Sequence, residues 1–391
     1  MTTKPPFQFS RFEKAAALML GSLALLILGL QPVLLGELVA EHQITMEGVG
    51  IVAMGEIFAI GIGVILAEKF FSIHRLRWIA CVTIILLAVI NVIMVRGSGD
   101  TAFTILRMFA GLIEGAMLWL TTSMIVRTAH PDQMAGLFLM VQTFLQALVT
   151  LFLARYVMPS GGWQSGFVAL AILALLSLLL LPFIPTQLTT LVDETTPPVA
   201  SGMTVFVLAV PFAFLSAIGA LWAYMDPLGR AVGFGAIGVQ TLIAWVLLLQ
   251  IIGSAVAILL VRKLPLLITM SVGAVLIGAI ALVIYVLPTG NTLIFAMLCL
   301  GFGFVWQFFM PFQIRLAMAA DPAGRVAMLV PASQLLGCAF GPLIASFSVT
   351  NDNAASVPLV SIGFAGVMVV ALLLVWRRNR GSVQSATVTK Y

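Results

Sequence analysis

Charge is what this sequence has least of. Asp, Glu, Lys and Arg make up 8% of its 391 residues, against 62% hydrophobic ones, whereas a soluble domain carries about a quarter charged residues. With a mean hydropathy of +1.17, a water-soluble globular fold is excluded and a polytopic helical membrane protein is expected. Cysteine is scarce as well. Cys81, Cys299 and Cys338 stand in apolar runs without CxxC spacing, so neither a disulfide framework nor a thiolate metal site is expected, and they read as small packing residues. His42, His74 and His130 fall in polar turns and form no metal pattern. The sequence has no HExxH, no glycine-rich loop followed by Lys-Ser or Lys-Thr, and no soluble stretch large enough to hold a nucleotide. Enzyme activity, metal and cofactor are therefore not expected, and ATP-driven pumping is disfavoured against ion-gradient coupling or facilitated diffusion.

What the chain does have is long apolar runs. Twelve are of spanning length, near 15 to 38, 46 to 67, 78 to 95, 102 to 126, 134 to 157, 164 to 184, 203 to 224, 237 to 261, 266 to 287, 292 to 316, 326 to 348 and 357 to 376. The first continues at full spanning length and has no small-residue cleavage site behind a short core, so no cleavable signal peptide is expected. Lys and Arg collect on one side of this pattern, among them Lys14, Lys69, Arg75, Arg77, Arg127, Arg262, Lys263, Arg315, Arg377 and Arg378, while Arg96, Arg155 and Arg230 fall on the other. The positive-inside rule then predicts both termini in the cytoplasm, in a cell (inner) membrane. The formal charge of +5 belongs to this asymmetry and is no sign of a nucleic-acid partner.

The stretch Thr186 to Gly202, with paired prolines and two acids, reads as a cytoplasmic linker between a six-helix bundle at 1–185 and a second at 203–391 that ends in a short basic tail. Features recur across it. Lys69 and Lys263, Pro131 and Pro322, and Gly111 and Gly301 are offset by about 190 residues, which predicts a parallel internal repeat.

Ionisable residues inside spans need an explanation, because each costs roughly 2.5 to 3.5 kcal/mol at a helix centre on insertion scales. Arg107 and Glu114 lie in the fourth run beside the small-residue pair Gly111 and Gly115, and Glu56 lies near the middle of the second. Arg107 and Glu114 are two helical turns apart, about 10 Å along the axis, so each is expected to find its partner on another helix or in water. A carboxyl group in a low-dielectric path favours its neutral form, which makes Glu56 and Glu114 candidates for carrying a coupled proton, with Arg107 tuning whichever it approaches. The plainer alternative is an ion pair that locks two helices together. Other midspan polar and aromatic residues are Gln31, Gln142, Gln146, Trp222, Tyr224, Gln240, Trp306, Gln307, Gln313 and Gln334. Trp222 and Tyr224 sit where an interfacial aromatic belt is expected.

These residues resemble the major facilitator superfamily along essentially the whole chain. The stretch LAEKFFSIHRLR is similar to the family's Gly-x-Leu-Ala-Asp-Arg-x-Gly-Arg-Arg loop, with Glu68 and Lys69 in its acid-base core, Arg75 and Arg77 at its basic end, and Val64 and Phe71 where the family has glycine. Arg107 and Gly111 match the Arg and first Gly of Arg-x-x-Gln-Gly-x-Gly on the fourth helix, and Gly162, Trp163 and Phe167 resemble a segment before the sixth. The Gly-x-x-x-Gly-Pro exporter signature is missing from the fifth helix and stands on the eleventh as Gly337, Gly341 and Pro342.

The resemblance implies an all-α membrane protein of twelve transmembrane helices in two pseudo-symmetric six-helix bundles. It also implies a gating loop at Glu68, Lys69, Arg75 and Arg77, and a cavity lined by the first, fourth, seventh and tenth helices. Gln31, Glu114, Tyr224, Trp306 and Gln307 would gather there, with Arg107 and Gln142 as further candidates. The expected protein is a monomeric, proton-coupled secondary transporter of a small organic solute, working by alternating access around a midplane cavity. An exporter of amphiphilic compounds, or a membrane sensor or assembly subunit with a carrier fold, is the alternative.

Overall fold

The computed structural model describes residues 9–128, 131–188, 202–321, 326–349 and 353–388. Most of the proposed linker, including Thr195, lies outside them, as do His130, Pro322, Arg325 and Asp352. The described residues form helices long and apolar enough to span a bilayer, eleven if each unbroken helical run counts once. One run, Gln133–Phe183, is 51 residues long and holds two of the twelve expected spans. It turns at Gly162, whose φ of 59° and ψ of −161° belong to a region that only glycine enters readily.

The helices are α1 (Arg11–Ala40), α2 (Met46–Phe70), α3 (Leu76–Met94) and α4 (Asp100–Ile125), then α5 (Pro131–Phe152), α6 (Met158–Leu176) and α7 (Gly202–Ala223). They continue as α8 (Ala236–Leu260), α9 (Leu266–Val286), α10 (Thr292–Ala320), α11 (Val330–Ser346) and α12 (Val357–Val388). A π-helical stretch, Leu153–Val157, prolongs α5, and a 3-10 stretch, Ser177–Phe183, prolongs α6.

The chain divides into two compact units, Met1–Glu194 with Gly235–Leu248, and Thr195–Phe234 with Leu249–Tyr391. In the first unit α2 packs most extensively on α4, α3 on α6, and α1 on α5. Without a hydrophobic driving force between helices in lipid, close approach depends on small residues, and α2 and α4 show it. A Cβ on Gly63 would run into the Leu112 carbonyl, one on Gly111 into the Glu56 carbonyl, and one on Gly115 into the Ile60 carbonyl. Polar contacts pin the same pair near its ends. Asp100 accepts the Thr45 N–H at 2.7 Å and the Thr45 hydroxyl at 2.6 Å, and the Trp119 indole N–H donates to Glu68. The two helices therefore run in the same direction.

The second unit repeats this design. A Cβ on Gly253 of α8 would meet the Phe304 carbonyl of α10, a pair displaced by about 190 residues from Gly63 and Leu112. Gly219 of α7 stands against Cys338 and Pro342 of α11, as Gly29 of α1 stands against Gln146 of α5. Gly337 and Gly341 of the displaced Gly-x-x-x-Gly-Pro segment press on the Phe212 and Ser216 carbonyls of α7. That motif serves helix packing here.

Candidate functional site

α1 is not one straight rod. It breaks at Leu25 (φ −102°, ψ 9°), about two turns before Pro32, which has no N–H to donate and whose ring crowds the carbonyl four residues back. The Gln146 side chain of α5 reaches the break and donates to the Leu25 carbonyl at 2.6 Å. Beyond the break, Gln31 donates to the Ala53 carbonyl of α2 at 3.4 Å. These contacts set the wall against which the charged groups of α2 and α4 are packed.

Arg107, Glu56 and Glu114 form a buried triad in the first unit. The Arg107 guanidinium is in ion-pair contact with Glu56 across the α2–α4 seam, and its Nη2 lies 3.6 Å from Glu114 Oε1. All three are almost fully buried, at 3%, 1% and 4% exposure. The contact with Glu114 corrects the expectation that two residues seven apart in one helix are too distant to pair. Arginine and glutamate side chains together span the two-turn rise, and a helical side chain such as that of Glu114 leans back toward the helix N-terminus, where Arg107 stands. One guanidinium thus serves two carboxylates.

Two small cavities flank the guanidinium. One, of about 10 Å³, is lined by Gln31, Glu56 and Arg107 with apolar residues of α1 and Phe167. The other, of about 20 Å³, is lined by Asn91, Arg107 and Glu114 with apolar residues of α1, α3 and α6. A much larger groove of about 880 Å³ lies in the second unit, among Ile268, Val272, Leu373 and Trp376. Its walls are exposed aliphatic and indole surface of membrane helices and offer no charged group, so it is not the site of the chemistry.

The remaining sequence candidates divide between the units. Gln142 is buried on α5, and its Oε1 has no protein donor. Tyr224, Trp306 and Gln307 stand in the second unit. Trp222 and Tyr224 are buried, at 3% and 0% exposure, which corrects their placement in an interfacial belt. The Trp222 ring packs on Phe302 and edge-on against Trp306 at 5.4 Å, so its surface is used in an aromatic core. Gln334 donates to Gln313 at 2.7 Å nearby on α11 and α10.

The loop between α2 and α3 behaves in two ways. Glu68 bonds Trp119, and Arg77 donates to the Ile184 and Pro182 carbonyls at the end of the α6 extension. Arg127, just past α4, is held below the usual arginine range by burial, with Glu68 opposing that shift. Lys69 lies over the Phe70 ring at 5.5 Å, and Arg75 is exposed. Sequence reasoning did not single out Asn91, Trp119 or Asp100 as partners. A polar residue inside an apolar run is the signal that would have found Asn91.

The first unit thus holds a buried, charge-bearing helix pair among apolar helices of spanning length, and the described residues include no metal-binding cluster. The chain belongs to the Major Facilitator Superfamily, whose sequence profile matches residues 17–330. Among solved structures it is similar to a bacterial homologue of the human lysosomal transporter Spinster, in an inward-facing and occupied conformation. That match has 13% identity and a TM-score of 0.72, covering 97% of this chain and 98% of the other. It is also similar to a variant of the nucleoside transporter NupG (14%, TM-score 0.69, 93% and 99% covered) and to a D-xylose-proton symporter (16%, TM-score 0.67, 93% and 96% covered). Among curated proteins none matches by sequence. At these identities the structural likeness establishes the fold, and the family is one of transporters and not of enzymes.

Proposed function

We propose that this protein is a proton-coupled secondary transporter of a small organic solute, and that the coupled proton is held by the Glu56–Arg107–Glu114 triad. The observation that carries the reading is a charge count in a buried place. Two carboxylates share one guanidinium, so the triad is neutral only with one proton aboard, and a net charge is costly away from water. A change in proton occupancy changes which carboxylate Arg107 is held by, and this couples the proton to the packing of α1, α2 and α4. The similarity to a D-xylose-proton symporter and to a nucleoside transporter supports a polar organic solute as cargo. The lysine and arginine asymmetry supports an inner membrane with cytoplasmic termini. Working as a monomer by alternating access is the family expectation that goes with it.

The apolar, methionine-rich composition, with 19 Met, favours a second reading, export of an amphiphilic compound. Proteoliposomes loaded with a panel of sugars, nucleosides and amphiphilic dyes, with and without an imposed pH gradient, test both readings. Gradient-accelerated flux lost in Glu56→Gln or Glu114→Gln is the expected result. Flux that ignores the gradient in the parent removes proton coupling, and ligand binding without flux makes the protein a sensor.

A further inference from the structure

α3 brings a third polar residue to the Glu114 side of the guanidinium. Asn91 is 3% exposed, and its Nδ2 donates to the Leu87 carbonyl at 2.9 Å. A carbonyl only accepts, so the amide orientation is fixed and Oδ1 is the atom turned elsewhere. Asn91 Oδ1 has no protein donor, and neither Arg107 Nη1 nor Glu114 Oε2 has a hydrogen-bond partner in the protein. All three residues line the same cavity of about 20 Å³, whose remaining lining is Leu23, Leu26, Ile27, Leu87 and Leu170.

We propose that this cavity is a water site, in which one water donates to Asn91 Oδ1 and Glu114 Oε2 and accepts from Arg107 Nη1, making Asn91 a positioning residue for Glu114. The volume suits one molecule, and a buried water requires two to four polar partners. Two donated hydrogens and one accepted bond satisfy three buried groups at once. On the Glu56 side the cavity is half that size, and the amide of Gln31 is spent on Ala53. The site tolerates both protonation states of Glu114. When Oε2 carries a proton, its O–H donates to the water oxygen, while the water still donates to Asn91. Glu56 is the other titratable group facing the guanidinium, and α1 and α6 present aliphatic side chains to this cavity. The role of the water in proton movement rests on the proton-coupling reading; the site itself does not.

Two measurements on the full-length protein in lipid nanodiscs separate the two. The first is a density map fine enough to show ordered water. The expected peak lies about 2.6 to 3.2 Å from Asn91 Oδ1 and Glu114 Oε2, disappears in Asn91→Leu, and returns in Asn91→Thr, whose hydroxyl bonds the Leu87 carbonyl and still accepts. Asn91 Oδ1 bonded directly to a protein N–H, or a peak unchanged in Asn91→Leu, overturns the water site. If Asn91→Leu does not fold, the parent map alone decides. The second is the carboxylic-acid stretch that appears in infrared difference spectra on acidification, assigned to Glu114 by its loss in Glu114→Gln. It is expected to shift in Asn91→Leu and to recover in Asn91→Thr, which a merely structural residue would not produce. Water in the map with no Glu114 band rejects the proton role and leaves the site standing. A Glu114 band with no water rejects the site and leaves the proton role standing.

Discussion

Asp100, the first residue of α4, accepts both the backbone N–H and the hydroxyl of Thr45, the residue that caps α2, at 2.7 and 2.6 Å. One carboxylate thereby ties together the starts of two parallel helices and stands at the positive end of both dipoles. Asp100→Ala is expected to lower stability by about 1.5 kcal/mol, the scale of a lost cap with a charged acceptor, and Asp100→Asn to retain most of it. Thermal unfolding in detergent checks this, and an alanine variant as stable as the parent refutes the tie.

The glycine seam is less forgiving. Gly111→Ala places a methyl group against the Glu56 carbonyl, so the added volume falls on backbone and on the residue that pairs with Arg107. Overpacking costs about 1 to 3 kcal/mol even where side chains can move. Gly301→Ala, with open space around its Cβ, is the control and is expected to be neutral or slightly stabilising. Comparable unfolding temperatures for the two variants would sink the close-packing argument.

Arg107 distinguishes a clamp from a coupling element. Arg107→Met strands two buried carboxylates and is expected to cost about 3 to 5 kcal/mol, with the further changes Glu56→Gln and Glu114→Gln together regaining most of that loss. Arg107→Lys keeps the charge but not the planar fork that reaches both acids. It is expected to fold and insert yet lose gradient-driven flux. Unfolding and flux measured on the same preparations decide, and an Arg107→Lys protein that transports at the parental rate removes Arg107 from the mechanism.

Orientation has its own test. In a background without Cys81, Cys299 and Cys338, a cysteine replacing Thr195 is expected to react with an impermeant reagent only from the cytoplasmic side, and one replacing Asp352 only from the opposite side. Reversed labelling would overturn the charge-asymmetry argument.

The spans were legible in the sequence because a bilayer imposes a length and a polarity that few other constraints obscure. The glycines at 111 and 115 were legible as a packing stripe, whereas the choice between Glu56 and Glu114 as the group that Arg107 approaches stayed open. Three features were not legible. Spacing along the helix axis hid the Arg107–Glu114 contact, because two long side chains close a gap that backbone geometry leaves open. Trp222 looked interfacial because its burial depends on Phe302 and Trp306, some 80 residues away, and Tyr224 is buried two residues further on. Gln146 carried no sign that its partner was a carbonyl exposed by a helix break near Pro32, since that break belongs to another helix.

Gly162 has an arithmetical consequence for the whole molecule. Twelve crossings, an even number, require the 51-residue apolar run to supply two of them, and Gly162 is where its helical backbone breaks. Were the run to pass through once, every later segment would be delivered to the opposite compartment, and the two ends of the polypeptide would face different solutions. In the twelve-span arrangement, the expected sidedness of every segment after Gly162 goes with that break.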